Sequence, residues 1–270
     1  MIPEFCLTEW RQQVPWVEDY QVEQDLIISR ALINLFEREK IKNSLVFRGG
    51  TALHKLFIKP AGRYSEDIDL VQIASEPIGP MLDEIRSALH WLGEPKSKLT
   101  ERSAKLFYRY TALDNSQRKL KIEINTTEHY HFLDLIDYDF ALSNSWYSGE
   151  FKLRTYQLDE LIGTKMRALY QRRKGRDLFD LWMVLKDNLI NPLKVVDIYL
   201  SHCDKEAQTM TRALFEKSMS EKIQHNYFKT DITNLLAAEQ EWSFHDAYEM
   251  VQDNLISQLP GEPLKSRRTK

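Results

Sequence analysis

The stretch RYSEDIDLV, residues 63–71, decides how this chain is read. Ile68, Leu70 and Val71 have the apolar character of a buried β-strand, and Asp67 and Asp69 alternate with them. Successive side chains on a strand point to opposite faces, so the two carboxylates share one face. Neighbouring acids repel unless something positive stands between them. A lone Asp-x-Asp is a common strand ending, but this strand is otherwise strongly apolar. The pair therefore suggests a divalent metal site, since Mg²⁺ favours a few carboxylates together with phosphate oxygens.

Two neighbouring segments extend the pattern. In FRGGT (residues 47–51) a short strand enters Gly49 and Gly50 and leaves at Thr51 into a helix. Paired glycines let backbone approach a ligand closely, and a helix start offers free N–H groups, which together suit a phosphate. The same dipeptide serves equally well as a tight turn. In KLKIEIN (residues 119–125), Leu120, Ile122 and Ile124 face a core, leaving Lys121, Glu123 and Asn125 on the other face. If this strand lies beside the Asp67 strand, Glu123 completes a cluster of three carboxylates. Taken alone, Glu123 reads as a surface residue. Ser65 is expected on the same strand face as the two acids, where its hydroxyl would reach a phosphate. Arg48, Lys55 and Arg63 lie close enough in sequence to pair with phosphates, although solvated surface cations are the plainer reading of all three.

The whole chain of 270 residues is 43% hydrophobic and 29% charged, which is ordinary globular composition for one large domain or two smaller ones. No apolar run reaches the roughly 18 residues of a membrane span. The N-terminal sequence lacks the basic-then-apolar pattern of a signal peptide. Only Cys6 and Cys203 are present, far apart and without metal-ligand spacing, which fits a reduced cytoplasm. In EHYHF (128–132), His129 and His131 are placed on an exposed strand end, with a zinc pair as the weaker reading. The net charge of −3 argues against nonspecific coating of nucleic acid. A local basic stretch exists nonetheless: residues 150–176 hold eight basic side chains against three acidic ones. The tail LKSRRTK (264–270) is also basic and is expected to be mobile.

Helical spacing of Val22, Leu26, Ile27, Leu32, Ile33 and Phe36 marks an amphipathic helix over residues 19–39. A helix is expected within residues 77–92, and a hairpin joins residues 104–113 to 118–125 through DNSQ. From Leu158 onward helical periodicity dominates. The expectation is an α+β domain over residues 1–157 and a helical domain over 158–270. In the latter, Ile162, Met166, Leu169 and Tyr170 form one apolar stripe, with Lys165 and Arg172 on another face. Gly175 interrupts the helix, and Asp177 is well placed as N-cap of the next, with Asp180 three residues on.

The order of strand, Gly-Gly, helix, strand with Asp-x-Asp and a later strand with a third acid resembles the polymerase-β type of nucleotidyltransferase fold, a mixed sheet with helices. More narrowly, FRGGTALHKLF, RYSEDIDLV and KMRALYQRRKGRDLFDLW resemble the AbiEii family of bacterial toxins, which includes MenT-type toxins; the resemblance spans residues 46–182. It implies a nucleoside monophosphate moved from an NTP to an acceptor, with release of pyrophosphate. It also implies Mg²⁺, with Mn²⁺ as the alternative, held by Asp67 and Asp69, with Glu123 the least secure because relatives usually carry Asp there. Gly49, Gly50, Thr51 and Ser65 become nucleotide-binding candidates, with Arg48 and Arg63 behind them. Lys165 falls where the family places a lysine on the triphosphate, and Asp180, or else Asp177, is the acid of the last motif. In relatives the acceptor can be the 3′ end of tRNA, for which Lys165, Arg172, Arg173, Lys174 and Arg176 offer a cationic edge. A separately encoded antitoxin is the expected partner. A protein hydroxyl as acceptor of a nucleotidyl or phosphoryl group keeps the same chemistry. A noncatalytic nucleotide-binding module is the reading from another class, against which the clustered carboxylates count.

Overall fold

The computed structural model describes residues 2–265, so most of the basic tail lies outside the described residues. The chain divides at Gln157/Leu158 into two compact units.

The first unit begins with helices α1 (Glu4–Arg11), α2 (Asp19–Phe36) and α3 (Glu39–Ser44). α2 forms for two local reasons. Glu18 and Gln21 make a reciprocal capping box that satisfies exposed N–H groups at the helix start. Leu26, Ile28, Leu32 and Phe36 recur at helical spacing and are buried to completion. Strand β1 (Leu45–Arg48) then runs into the four-residue helix α4 (Gly49–Ala52), which continues as a π-helical turn over Leu53–Phe57. Strand β2 (Asp67–Gln72) follows, then α5 (Gly79–Ala88), which opens on Pro80 in its first turn. Four more strands complete the unit after β3 (Lys96–Leu99): β4 (Ser103–Thr111), β5 (Gln117–Asn125), β6 (Ile136–Asn144) and β7 (Tyr147–Thr155).

All seven strands form one mixed sheet in the order β3-β4-β5-β2-β1-β7-β6. β2 is parallel to β5 and β1 is parallel to β7, while the remaining neighbours are antiparallel. Strand β1 reads as a nearly continuous apolar run, as expected where both faces are covered; its Leu45, Val46 and Phe47 are at most 1% exposed. Helix α1, strand β3 and the β6–β7 hairpin are additions to the elements expected from the sequence. The hairpin carried an available signal, because Ile136, Tyr138, Phe140 and Leu142 alternate strictly with other residues. β3 carried none: all four of its residues are exposed. His129 and His131 lie in a loop rather than on a strand. Their Nδ1 atoms lie within hydrogen-bond distance of the carbonyls of Gln72 and Leu133, respectively.

The second unit is helical: α6 (Leu158–Gln171), α7 (Gly175–Lys186), α8 (Pro192–Lys205), α9 (Arg212–Lys222), α10 (Asn226–Thr230) and α11 (Phe244–Asn254). Asn191, Thr211 and Ser243 cap α8, α9 and α11 through their side chains. The C-terminal carbonyls of α6 at Leu169 and Tyr170 accept hydrogen bonds from the buried Lys222 ammonium, favourable chemistry at a helix's negative end. Both cysteines are buried and free, one in each unit.

Candidate active site

The parallel pairing of β2 with β5 sets the geometry of the acids. Asp67 stands opposite Lys121 and Asp69 opposite Glu123, so all four side chains project from one face. Two cations stand beside the acid pair: Arg48, opposite Asp69 on β1 and interacting with it electrostatically, and Lys121, opposite Asp67 on β5. Lys121 makes the close contacts. Its ammonium donates to Asp67 Oδ2 at 2.8 Å and to Glu123 Oε2 at 3.1 Å, while Lys105 from β4 reaches Glu123 Oε1 at 2.8 Å. Burial pushes the Asp67 carboxyl up to about 6; Lys121 pulls it down, and Asp69 and Glu66 add to the rise. Burial would also raise Glu123, but Lys105 and Lys121 hold it below its ordinary value. Burial works against the Lys121 ammonium, yet Asp67, Asp69 and Glu123 keep its pKa raised. Lys121 was legible as sharing the acids' face, but its register opposite Asp67 was not.

Gly49 explains how Asp69 fits. Its φ of +85° lies in the left-handed region, and a Cβ there would sit 2.3 Å from Asp69 Oδ2. The missing side chain is the space the carboxylate occupies. At Gly50 a Cβ would lie 2.3 Å from the Arg63 guanidinium, so Gly50 makes room for that group instead. Thr51 is buried, and its hydroxyl bridges Ser65 Oγ at 2.9 Å and the Asp67 carbonyl. That ties the glycine turn to the first residue of β2. Ser65 precedes β2 rather than lying on its face, because the ladder begins at Asp67; the Thr51 hydroxyl nevertheless holds it beside the turn.

The three cations near these motifs are not solvated surface groups. Arg63 is 1% exposed and donates to the Tyr64 carbonyl at 3.0 Å. Arg48 pairs with the buried Glu128 at 2.7 Å, and Lys55 with the buried Asp25 at 2.8 Å. Each is held by a partner within its own unit.

In the second unit, Lys165 is 5% exposed, and its ammonium lies 2.8 Å from Asp180 Oδ2 and 3.8 Å from Asp177 Oδ1. Both aspartates are fully buried, which is tolerable only with close, hydrogen-bonded partners. Asp177 receives a bidentate grip from Arg172, at 2.6 and 2.7 Å. The N-cap expectation for Asp177 fails: Lys174 is the N-cap residue of α7, which starts at Gly175, and the Asp177 carboxylate turns inward to Arg172. Gly175 is required there by close packing, since a Cβ would meet the Phe228 carbonyl at 2.0 Å. The expected cationic edge is largely engaged as well. Lys174 donates to the Tyr227 hydroxyl at 2.8 Å and Arg176 pairs with Asp231 at 3.5 Å, whereas Arg173 is exposed.

Among the described residues no cluster of three or more His, Cys, Asp or Glu is disposed to cage a metal. Asp67 and Asp69 do fit a cation that takes one or two carboxylates and completes its shell from phosphate and water. Burial of Asp67 beside Asp69 leaves negative charge that such an ion would neutralise. Glu123, already shared by two lysines, fits less well.

A mixed sheet in which a glycine turn opens against two same-face carboxylates on the next strand is the arrangement expected of a nucleotidyltransferase, and the family match gives that class. Residues 30–250 match the family described as nucleotidyl transferase AbiEii toxin, type IV toxin–antitoxin system, and the chain belongs to that family. Its fold is similar to that of MenT4, a nucleotidyltransferase toxin from Mycobacterium tuberculosis H37Rv. The TM-score is 0.58 at 17% identity, covering 90% of this chain and 85% of that one. An antigenic nucleotidyltransferase-like protein from Paracoccidioides brasiliensis aligns over 80% of this chain and 94% of its own at 13% identity. Its TM-score of 0.43 supports no argument. No curated protein matches the sequence significantly. Among the described residues no helix is long and apolar enough to cross a membrane.

Proposed function

We propose that this toxin transfers a nucleoside monophosphate from an NTP to the 3′ end of tRNA in the cytoplasm, and that the transfer requires Mg²⁺. The observation that carries the reading is the pair Asp67 and Asp69 on one face of β2, with Gly49 left bare to admit Asp69. Asp67 and Asp69 hold the ion, which, when bound, supplies positive charge to phosphates undergoing in-line displacement. The acceptor hydroxyl oxygen bonds to the α-phosphorus and releases its proton to solvent, the bond from that phosphorus to the α–β bridging oxygen breaks, and pyrophosphate leaves carrying that oxygen. The turn at Gly49, Gly50 and Thr51, with Ser65 beside it, receives the nucleotide's phosphates.

Lys165 is assigned to the triphosphate, where a fixed ammonium stabilises developing charge. Asp180 orients it: at 2.8 Å from a fully buried carboxylate, the ammonium is held in one place. Asp177 serves the same group from further away and is itself fixed by Arg172. The toxin's activity is opposed by a cognate antitoxin.

The test incubates pure protein with each α-labelled NTP and Mg²⁺, with either total tRNA or lysate protein. Label on RNA supports the reading, whereas label on protein alone replaces it with nucleotidylation of a protein hydroxyl. Asp69→Ala should abolish both labelling and growth inhibition with its circular dichroism spectrum unchanged. Full activity in that variant would remove the metal assignment.

A further inference from the structure

We infer that the sheet face carrying Asp67 and Asp69 is also the docking platform for the acceptor RNA, along β5, β4 and β3. The inference rests on the RNA-acceptor reading above and names the surface that reading leaves unassigned.

Strand register carries the argument. Lys119 and Lys121 of β5 share the face of Asp67 and Asp69. Across the next ladder, Lys105, Phe107 and Arg109 of β4 stand opposite Glu123, Lys121 and Lys119. Across the outermost ladder, Lys98 and Lys96 of β3 stand opposite Lys105 and Phe107. Six cations thus occupy one face of three adjacent strands, and the sole acid those strands place there is Glu123. It is already neutralised by Lys105 and Lys121. On β4 and β5 the other face is mainly apolar and buried, through Ala104, Leu106 and Tyr108 and through Leu120, Ile122 and Ile124, whereas β3 is exposed on both faces.

Lys96, Lys98, Arg109 and Lys119 are exposed, and none forms an ion pair among the described residues. Phe107 lies half-buried among them, with the Lys119 ammonium 5.8 Å from its ring centroid. A partly open aromatic ring opposite Lys96 and Lys121, with Lys119 beside it, is an unusual surface to turn toward water alone. It suits a strand of nucleotides, whose bases stack on aromatic faces while phosphates meet lysine and arginine. The platform extends about 14 Å from β2 to β3, three strand spacings, and ends at the acids. By contrast, the basic stretch over 165–176 has spent most of its cations on internal partners. The charge also accounts for an acidic protein binding RNA at all, because the cations are concentrated rather than numerous.

The experiment measures binding of a fluorescent oligouridylate and of total tRNA across a salt series, for full-length protein. It compares the wild type, a quadruple variant (Lys96→Gln, Lys98→Gln, Arg109→Gln, Lys119→Gln), Arg173→Gln, Phe107→Leu and Phe107→Trp. Losing four phosphate contacts should reduce the slope of log affinity against log salt by about 3 and affinity by about tenfold or more. Phe107→Leu should lose about tenfold, with recovery in Phe107→Trp, because stacking needs the ring and core packing does not. NTP binding should be equal in all five proteins. A quadruple variant with wild-type affinity and slope, or an Arg173→Gln variant that alone loses RNA, overturns the platform while leaving the RNA reading standing. Competition by polyglutamate as effective as by unlabelled oligouridylate at equal charge also overturns it, in favour of an acidic protein partner. A wild type that binds no RNA and labels only protein defeats the reading, and the platform with it.

Discussion

Replacing Asp67 by Asn should stabilise the metal-free protein while destroying its activity. The carboxyl is raised from 3.8 to about 6, chiefly by burial. That rise corresponds to about 3 kcal/mol of resistance to ionisation. Some of that is not recovered: the side chain is 29% exposed, and the amide leaves Lys121 with Glu123 as its remaining close carboxylate. About 1–2 kcal/mol is the net expectation. For a chain of this size that raises Tm by about 2–6 °C. The pH dependence gives the sharper check. Because the folded pKa lies above the unfolded value, the folded state retains a proton that the unfolded state has lost. The resulting stability is full below about pH 4 and disappears as pH rises through about 6. Wild type and Asp67→Asn should therefore melt alike near pH 4 and diverge above about pH 6 in EDTA, followed by calorimetry. Excess Mg²⁺ should raise the wild-type Tm at neutral pH and leave the variant unchanged. A variant no more stable than wild type at neutral pH, or a gain independent of pH, would refute the reasoning.

Gly49→Ala should lose about 1–2 kcal/mol from its positive φ and displace Asp69, whose Oδ2 would lie 2.3 Å from the new Cβ. Activity should fall about tenfold or more, and a variant retaining wild-type turnover and Tm would show that the turn does not seat the carboxylate. Arg172→Ala strips the bidentate partner from fully buried Asp177, and should cost about 2 kcal/mol in a urea melt. A neutral effect would mean Lys165 suffices as its counter-charge. Lys121→Met removes the ammonium 2.8 Å from Asp67, so nucleotide-free protein should bind Mn²⁺ several-fold more tightly in an EPR titration. Weaker binding would show that Lys121 orders the acids rather than competing for them.

The sequence by itself determined which residues could form the acid pair and on which kind of element they stand. Asp67 and Asp69 share a face because alternation is a property of the extended backbone, whatever the strand later pairs with. The Gly49-Gly50 turn, the α2 stripe and the hairpin through DNSQ were legible for the same reason, being encoded over a few consecutive residues. The β6–β7 hairpin was equally encoded in its alternation. Only the tertiary structure decided what stands beside the acids. About fifty residues separate β2 from β5, and no local period specifies that they pair in parallel with Lys121 opposite Asp67. Strand β3, Lys-Ser-Lys-Leu, has no pattern of its own and becomes a strand because β4 offers an open edge. Arg63 and Asp177 were misjudged from local signals, as a solvated cation and a helix cap. Burial is a sum over the whole fold, and a charged side chain can be buried wherever that fold supplies its partner.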